Sequence, residues 1–188
     1  MFARALLLLT LAGEPATVQP IAAVQAEADP TTVDLVVLPG VEMPAAIRPR
    51  LDELAAAFRR ATGRGLVITD GTRRPERQAE LMLRNLERGD DIVRNYANKS
   101  AARAVAEAYA RAREAGRAEL LAALAAVIRA QVAAGDYVSK HLREGAVDIR
   151  CTDLSPAQRA TLKKLARARG IAVVDESRTA TPHFHLNF

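Results

Sequence analysis

The spacing of apolar residues divides the first half of the chain into helices and strands. Between residues 48 and 62, apolar side chains recur at helical spacing, and Gly63 is a plausible stop. The run Leu-Val-Ile-Thr at residues 66–69 predicts a short buried strand. A second helix is predicted from Pro75, a residue that suits the first helical turn, to about residue 88.

Residues 92–134 are rich in alanine, arginine and leucine and have helical periodicity. Gly116 is expected to divide them into two helices. The second helix has its large apolar side chains on one face: Leu120, Leu121, Leu124, Val127 and Ile128. We interpret this segment as a helical insertion. It either packs on a sheet as scaffold, caps a cleft or forms a surface for a partner.

The last third of the chain predicts strands around one further helix. A loop leads into a strand within residues 138–149, with Gly145 at the bend. Ser155 is a typical N-cap residue and begins a helix that ends at Gly170. Two more strands are predicted at residues 171–174 and 183–188. The whole pattern predicts an α+β fold, in which helices flank a small antiparallel sheet. The helical insertion at residues 92–134 is an addition to this fold.

The N-terminus is typical of an exported protein. Arg4 precedes an apolar run at residues 5–12 that is too short to span a membrane. We predict a signal peptide and cleavage region at residues 1–26, although an ordinary buried helix start is the alternative. A linker with a possible edge strand follows at 27–47, and one domain occupies 48–188. Export predicts a periplasmic or cell-envelope protein with no stable membrane insertion.

Composition adds few constraints. The 188 residues are enough for one domain with its own core, and 49% hydrophobic and 26% charged residues are ordinary values. The net charge of +5 comes chiefly from arginines along the helices. No Lys/Arg block is interleaved with aromatic residues, so we do not expect nucleic acid as a partner. Cys151, the one cysteine, is interpreted as a core residue rather than a nucleophile.

The three histidines all lie in the last third of the chain and suggest a zinc site. His183 and His185 are two positions apart, so in a strand both project from the same face. His141 precedes the strand that carries Asp148, and Gly145 lets the intervening loop bend back. Zinc accepts histidine nitrogen and carboxylate oxygen, and a catalytic site uses three protein ligands. His141 and Asp148, with one or both of the later histidines, are therefore candidate ligands.

These motifs resemble the zinc signature of the LAS metallopeptidases, the group of lysostaphin, the D-alanyl-D-alanine carboxypeptidases and the hedgehog signalling domains. In this chain the resemblance rests first on His141, on Asp148 seven positions later, and on the distant C-terminal His-x-His. The segments Ser139-x-His141 and Ala146-x-Asp148 resemble the carboxypeptidase branch in particular.

Upstream, residues 66–79 resemble the strand, Ser-Gly-Tyr-Arg turn and glutamine-bearing helix of the same branch. The resemblance covers roughly residues 48–90 and 136–188, and it departs from the branch at two positions. Glu144 stands where that branch usually has glycine. Pro182 stands where it usually has the glutamate that serves as general base, and the terminal His-x-His instead resembles the lysostaphin-like and penicillin-insensitive endopeptidase branches.

The resemblance implies a hedgehog-like or D-Ala-D-Ala peptidase-like fold and three zinc ligands: His141, Asp148 and His185. His183 would then act as general base or as a donor to the oxyanion. Glu176 and Glu144 are the carboxylates nearest the ligands in sequence, so they are alternatives for the base.

The resemblance also implies residues that bind substrate. Arg73 matches the arginine of the turn that faces the active site, and its planar guanidinium suits a carboxylate or a carbonyl group. Gln78 and Ser139 match polar positions that line the same cleft.

The resulting hypothesis is a zinc-dependent peptidase that hydrolyses peptidoglycan stem peptides or cross-links. Carboxypeptidase and endopeptidase activity both stay open, as do D,D and L,D specificity and the oligomeric state. The alternative is a hedgehog-like, zinc-containing binding module of the cell envelope without catalysis. A basic helical adaptor with incidental histidines is a further alternative.

Overall fold

The computed structural model describes residues 29–188, which form an α+β fold. Six α-helices lie within that range: α1 (Arg48–Thr62), α2 (Pro75–Glu87), α3 (Ile92–Asn95), α4 (Lys99–Ala112), α5 (Arg117–Ala133) and α6 (Pro156–Arg167). Five strands form one sheet: β1 (Leu35–Val37), β2 (Leu66–Asp70), β3 (Ala146–Arg150), β4 (Ala172–Asp175) and β5 (His183–Asn187). Short 3₁₀ helices at Ala45–Ile47 and Lys140–Arg143 precede α1 and β3. The predicted fold class, a small sheet flanked by helices, is confirmed.

The sheet has the strand order β1-β2-β3-β5-β4. The pairs β2–β3, β3–β5 and β5–β4 are antiparallel, as predicted, whereas β1 pairs with β2 in parallel at one edge of the sheet. Asp148 of β3 lies opposite His185 of β5, and Arg150 lies opposite His183. Side chains of directly opposed residues share a face of the sheet, so Asp148 and both histidines project to the same side.

The other face of the sheet packs against α1 and α6. Val147, Ile149, Phe184 and Leu186 are fully buried in this core and alternate along β3 and β5 with the residues that face the candidate site. Their burial fixes the register of both strands, because a slip of one residue would turn the apolar side chains outward. The core therefore determines which face carries the histidines.

Helices α2, α4 and α5 enclose a second core. Met82 and Leu83 of α2 pack there with Val105 of α4 and with Leu124 and Ile128 of α5, and all five side chains are fully buried. Gly116 separates α4 from α5, as predicted, and the four-residue α3 precedes them. The helical insertion thus packs mainly on α2, which carries Gln78.

The chain bends before β3 at a residue with a left-handed backbone. Gly145 was the expected bend residue, but Glu144 is the one with φ of 57°, the only positive φ of a non-glycine residue among residues 29–188. The Cβ atom of Glu144 therefore meets the steric penalty that glycine avoids, about 1–2 kcal/mol.

We expect Glu144→Gly to raise the free energy of unfolding by about 1 kcal/mol. The substitution removes the steric penalty, but the greater backbone entropy of glycine in the unfolded state offsets part of this gain. Chemical denaturation of the metal-free protein measures it. Glu144→Ala is the matched control, since it removes the carboxylate but keeps Cβ. An equal gain in both variants would show that the charge, and not the backbone, is the cause.

The predicted signal peptide and cleavage region, residues 1–26, lie outside the described residues. From residue 29 onward, no helix is both long and apolar enough to cross a membrane. The predicted strand in the 27–47 segment is found as β1, at the edge of the sheet beside β2.

Candidate metal centre

Three side chains from three segments converge on one point above the sheet. His141 comes from the 3₁₀ helix before β3, Asp148 from β3, and His185 from β5. His141 Nε2 lies 3.1 Å from His185 Nδ1 and 3.2 Å from Asp148 Oδ1, and the remaining separation, His185 Nδ1 to Asp148 Oδ1, is 2.9 Å. These are the three residues whose convergence the resemblance implied, and they form a group that can hold a metal ion.

The outer nitrogen of each imidazole is engaged by an oxygen that only accepts. His141 Nδ1 lies 2.6 Å from the Gly71 carbonyl oxygen, and His185 Nε2 lies 3.0 Å from Asn187 Oδ1. Each outer nitrogen must carry a proton and donate it, so in the neutral ring the inner nitrogen presents a lone pair. Two lone pairs and a carboxylate oxygen then face one another. They need protons or a cation between them, and this is the arrangement expected of oriented metal-ligating histidines.

The separations suit a small tetrahedral ion. Ligand atoms about 2.0–2.1 Å from a tetrahedral zinc ion lie about 3.3 Å from one another. The three measured distances, 2.9, 3.1 and 3.2 Å, are slightly shorter than this. A small outward adjustment of the side chains would accommodate the ion, and three ligands leave a fourth position open. The donor set therefore fits zinc in both chemistry and size.

Asp148 is held in its charged form. Burial alone would raise the pKa of this carboxyl group, since it is 4% exposed. When the site holds no metal ion and protons occupy the inner nitrogens of the imidazoles, the hydrogen bonds that His141 and His185 donate, and the charges of His141 and Arg73, outweigh burial and hold the pKa of Asp148 well below its usual range. The site thus offers an anionic oxygen at neutral pH, which a cation would need.

Arg73 fixes the second oxygen of Asp148. Its Nη2 donates to Asp148 Oδ2 at 2.8 Å, its Nε donates to Asp70 Oδ2 at 3.0 Å, and its Nη1 donates to Gln78 Oε1 at 3.2 Å. The side chain is only 12% exposed. Arg73 thus lies at the site, as predicted, but these three contacts are within the chain. They use three of the five guanidinium N–H groups, and Nη2 also lies 3.0 Å from Asp70 Oδ2.

A β-bulge brings Asp70 to this position. Ile68 pairs with Ile149, but Asp70 pairs with the adjacent residue, Asp148, so Thr69 is an extra residue in β2. Without the bulge, Asp70 would share the core-facing side of Ile68. The bulge instead places it beside Asp148, where it accepts a hydrogen bond from Arg73.

The two other predicted substrate-binding residues have structural contacts. Gln78 is fully buried and bridges Arg73 to Tyr96, donating from Nε2 to Tyr96 Oη at 3.0 Å. Ser139 is the N-cap of the 3₁₀ helix, and its hydroxyl accepts from the His141 backbone N–H at 3.4 Å. Both therefore act on residues of the site, Gln78 through Arg73 and Ser139 through the backbone of His141.

His183 lies next to the ligand group and beside a carboxylate. Its Nε2 is 3.5 Å from Asp148 Oδ1 and 3.3 Å from Glu176 Oε2, and its Nδ1 is 2.6 Å from the Thr181 carbonyl oxygen. Glu176, one of the two carboxylates considered for the general base, is thus at the site. For Glu144, the other one, the contacts of the described chain include no hydrogen bond or ion pair to the site, and its side chain is exposed.

Sequence reasoning gave no site role to several residues around the site, among them Gly71, Tyr96 and Asn187. Asn187 had a usable signal, because the period of two that pairs His183 with His185 extends to residue 187. The other two had none, since their contacts join segments that are far apart in sequence.

Cys151 is fully buried in the sheet core, and burial raises the pKa of its thiol.

Gly71 is required by a close approach of backbone. A Cβ atom at this position would lie 2.2 Å from the Glu42 carbonyl oxygen, which accepts a hydrogen bond from Thr72 N at 2.8 Å. The same turn bonds the His141 segment twice: Gly71 O accepts from the His141 ring, and Arg73 N donates to His141 O at 3.1 Å. Movement of the turn would therefore misplace His141.

We expect Gly71→Ala to weaken metal binding about 10- to 100-fold, the usual effect of losing an outer partner of a ligand. It should also lower the free energy of unfolding by about 1–3 kcal/mol, because the methyl group overpacks against backbone. Competition with a chromophoric chelator and denaturant titration measure the two effects. Gly116→Ala is the control, since its Cβ would meet only the Glu119 side chain, at 3.3 Å. Unchanged affinity in Gly71→Ala would remove the turn from the support of the site.

No family model, curated protein or solved structure matches this chain. The chemistry of the site must therefore be argued from its geometry. That geometry gives a largely buried His-Asp-His group able to bind a metal ion, an arginine that pairs with its carboxylate, and a second histidine–carboxylate pair at its side.

Proposed function

We propose that this protein is a zinc-dependent peptidase that hydrolyses peptidoglycan stem peptides or cross-links. The observation that carries the proposal is the convergence of His141 Nε2, Asp148 Oδ1 and His185 Nδ1, with the outer nitrogen of each ring held by an acceptor. Two nitrogens and one carboxylate oxygen are a typical ligand set of catalytic zinc. The sequence resemblance to LAS metallopeptidases supports the substrate class.

When bound, zinc supplies Lewis acidity that makes a nearby water more acidic and polarises a peptide carbonyl. The residues of the chain would bind the zinc ion and transfer protons. Asp148 contributes one negative charge, and Arg73 compensates part of it from the opposite oxygen at 2.8 Å. This pairing keeps Asp148 oriented so that Oδ1 faces the two imidazoles.

The pair formed by His183 and Glu176 is suited to proton transfer. Thr181 O holds a proton on His183 Nδ1, and His183 Nε2 can share a second proton with Glu176 Oε2 at 3.3 Å. Glu176 is 39% exposed, so water and substrate can reach it. The pair can take a proton from an attacking water and return one to a leaving amine, which is general acid–base catalysis.

Substrate contact is proposed at Arg73. The second N–H group of Nη1 can donate to a carbonyl or carboxylate of a peptide while Nη2 still holds Asp148. Arg73 also lines an open cleft of about 540 Å³, formed by residues 39–42, the end of β2 and the first turns of α2, which lies beside the metal site and is not lined by the three candidate ligands. This cleft is the proposed seat of part of the peptide.

The test is digestion of purified peptidoglycan by zinc-loaded protein, with the products separated by mass. Peptides shortened by one alanine would indicate a carboxypeptidase, and dimers converted to monomers an endopeptidase. A chelator should stop product formation and added zinc should restore it, while Asp148→Ala should form no product.

Two outcomes would contradict the proposal. Zinc binding without any product, under conditions where a known peptidase works, favours the non-catalytic binding module. Absence of zinc binding removes both of these functions and leaves the basic adaptor. Export to the periplasm or cell envelope is part of the proposal and depends on the signal peptide predicted at residues 1–26.

A further inference from the structure

A continuous chain of hydrogen bonds leads from the candidate metal site into the helical insertion. Asp148 Oδ2 accepts from Arg73 Nη2 at 2.8 Å, Gln78 Oε1 accepts from Arg73 Nη1 at 3.2 Å, and Tyr96 Oη accepts from Gln78 Nε2 at 3.0 Å. Tyr96 is the C-cap residue of α3 and packs against the second core. Three links therefore connect a proposed metal ligand to a residue of the insertion.

The direction of each bond is determined by its partners. Arginine has only donors, so Gln78 must present Oε1 to Arg73 and Nε2 to Tyr96. Burial raises the pKa of Tyr96, so its hydroxyl is uncharged at neutral pH and accepts this bond through a lone pair. If the Gln78 amide were rotated, its N–H groups would face the N–H groups of the guanidinium. Only one orientation of the amide therefore allows both hydrogen bonds to form.

Tyr96 matters because Gln78 has no access to water. Gln78 is 0% exposed, and Tyr96 Oη is the acceptor of its amide N–H in the described part of the chain. Without that oxygen, a buried donor is left unsatisfied, and the side chain must move or admit water to recover a partner. Either change alters the support of Arg73, which in turn holds Asp148.

We propose that Tyr96 is a positioning residue of the metal centre, through which the helical insertion holds Asp148 in its metal-binding orientation. The proposal rests on the metal site of the proposed function, but not on the peptidase reaction. It gives the insertion a role: α3 to α5, packed with α2, keep Gln78 and Tyr96 together, and this pair keeps Arg73 on Asp148.

The test is the zinc and cobalt affinity of the full chain, measured by competition with a chromophoric chelator. Gln78→Leu should weaken binding about 10- to 100-fold, and Tyr96→Phe about 3- to 10-fold, since it acts one step further from the ligand. The double variant should bind as weakly as Gln78→Leu alone, because one chain of bonds is broken in both. Cobalt-loaded Tyr96→Phe should also show altered visible absorption bands, which respond to the ligand geometry.

Tyr109→Phe is the matched control. Tyr109 lies on α4 and packs partly buried against the same core, and its hydroxyl forms no hydrogen bond with the described residues 29–188. Removal of the Tyr109 hydroxyl should leave the metal affinity and the visible absorption of the cobalt-loaded protein unchanged. Thermal unfolding shows whether each variant folds. If Gln78→Leu does not fold, the positioning role is tested by comparing the metal affinity of Tyr96→Phe with that of Tyr109→Phe.

Different results would contradict the positioning role of Tyr96 and the proposed peptidase function. Wild-type affinity and absorption in Tyr96→Phe would overturn the positioning role and leave the metal site intact. Wild-type protein that binds neither zinc nor cobalt would overturn both. Equal losses in Tyr96→Phe and Tyr109→Phe would also overturn the positioning role, because they would reflect general loosening of the helical core.

Discussion

Alanine in place of His141, Asp148 or His185 should remove stoichiometric zinc from the protein. A catalytic zinc site has three protein ligands, so each substitution leaves only two. Asp148→Ala should have the largest effect, because it also removes the one buried negative charge that faces both imidazoles. Elemental analysis after exhaustive dialysis measures the metal content directly.

Thermal unfolding gives a second readout of the same prediction. An ion that binds only the folded state stabilises it, by about 2.7 kcal/mol when the free ion is at 100 times its Kd. Added zinc should therefore raise the Tm of the wild-type protein and leave the three variants unchanged. Asp52→Ala is the control, since Asp52 is exposed and pairs with Arg48 on α1. Full zinc retention in any one of the three variants would remove that residue from the ligand set.

Much of the site follows from local rules that the sequence displays. A period of two in the terminal strand predicts that His183 and His185 share a face, and the structure places both beside Asp148. The strand that carries Asp148 and the helix that carries Gln78 also lie where hydrophobic spacing predicts them. Periodicity, caps and turns depend on neighbours in sequence, so they can be seen in the sequence itself.

The support of the site could not be predicted in this way. The bond between the His141 ring and Gly71 O joins residues 70 positions apart, and that between Arg73 and Asp148 joins residues 75 apart. Such contacts depend on how β2 and β3 pair. The bulge at Thr69 decides that pairing, and a run of apolar residues followed by Asp70 gives no sign of it.

The bend before β3 illustrates the same limit at shorter range. Glycine is the residue expected in a left-handed conformation, so Gly145 was the natural choice for the bend. The structure gives the positive φ to Glu144, and Gly145 N bonds back to Lys140 O at 3.2 Å. This places the left-handed residue at the position where the LAS carboxypeptidase branch, by the resemblance, has glycine.

The proton-transfer pair is the part of the proposed mechanism in which this chain departs from that resemblance. Pro182 stands in place of the expected glutamate, but Glu176, in the turn after β4, lies beside His183: its backbone N–H donates to His183 O at 3.1 Å, and its Oε2 lies 3.3 Å from His183 Nε2. The carboxylate thus comes from a different segment, and His183 lies between it and Asp148. In the proposed mechanism, the pair of His183 and Glu176 serves as general base without the missing glutamate.

We expect His183→Ala to keep stoichiometric zinc and to lose about 10²- to 10⁴-fold in turnover, the range for a general acid–base group. Glu176→Gln should fall in the same range, because glutamine keeps the shape of the side chain but cannot accept the proton. Peptide cleavage at saturating substrate measures turnover, and elemental analysis measures zinc. Glu107→Gln is the control for the change of charge, since Glu107 is 59% exposed on α4.

The double variant distinguishes a pair from two independent residues. If His183 and Glu176 share one proton over the 3.3 Å that separates them, removal of both should cost little more than removal of one. Multiplied losses would mean that the two residues serve separate steps. Loss of zinc from His183→Ala would instead make His183 a ligand, and unchanged turnover in both single variants would exclude the pair as the catalytic base.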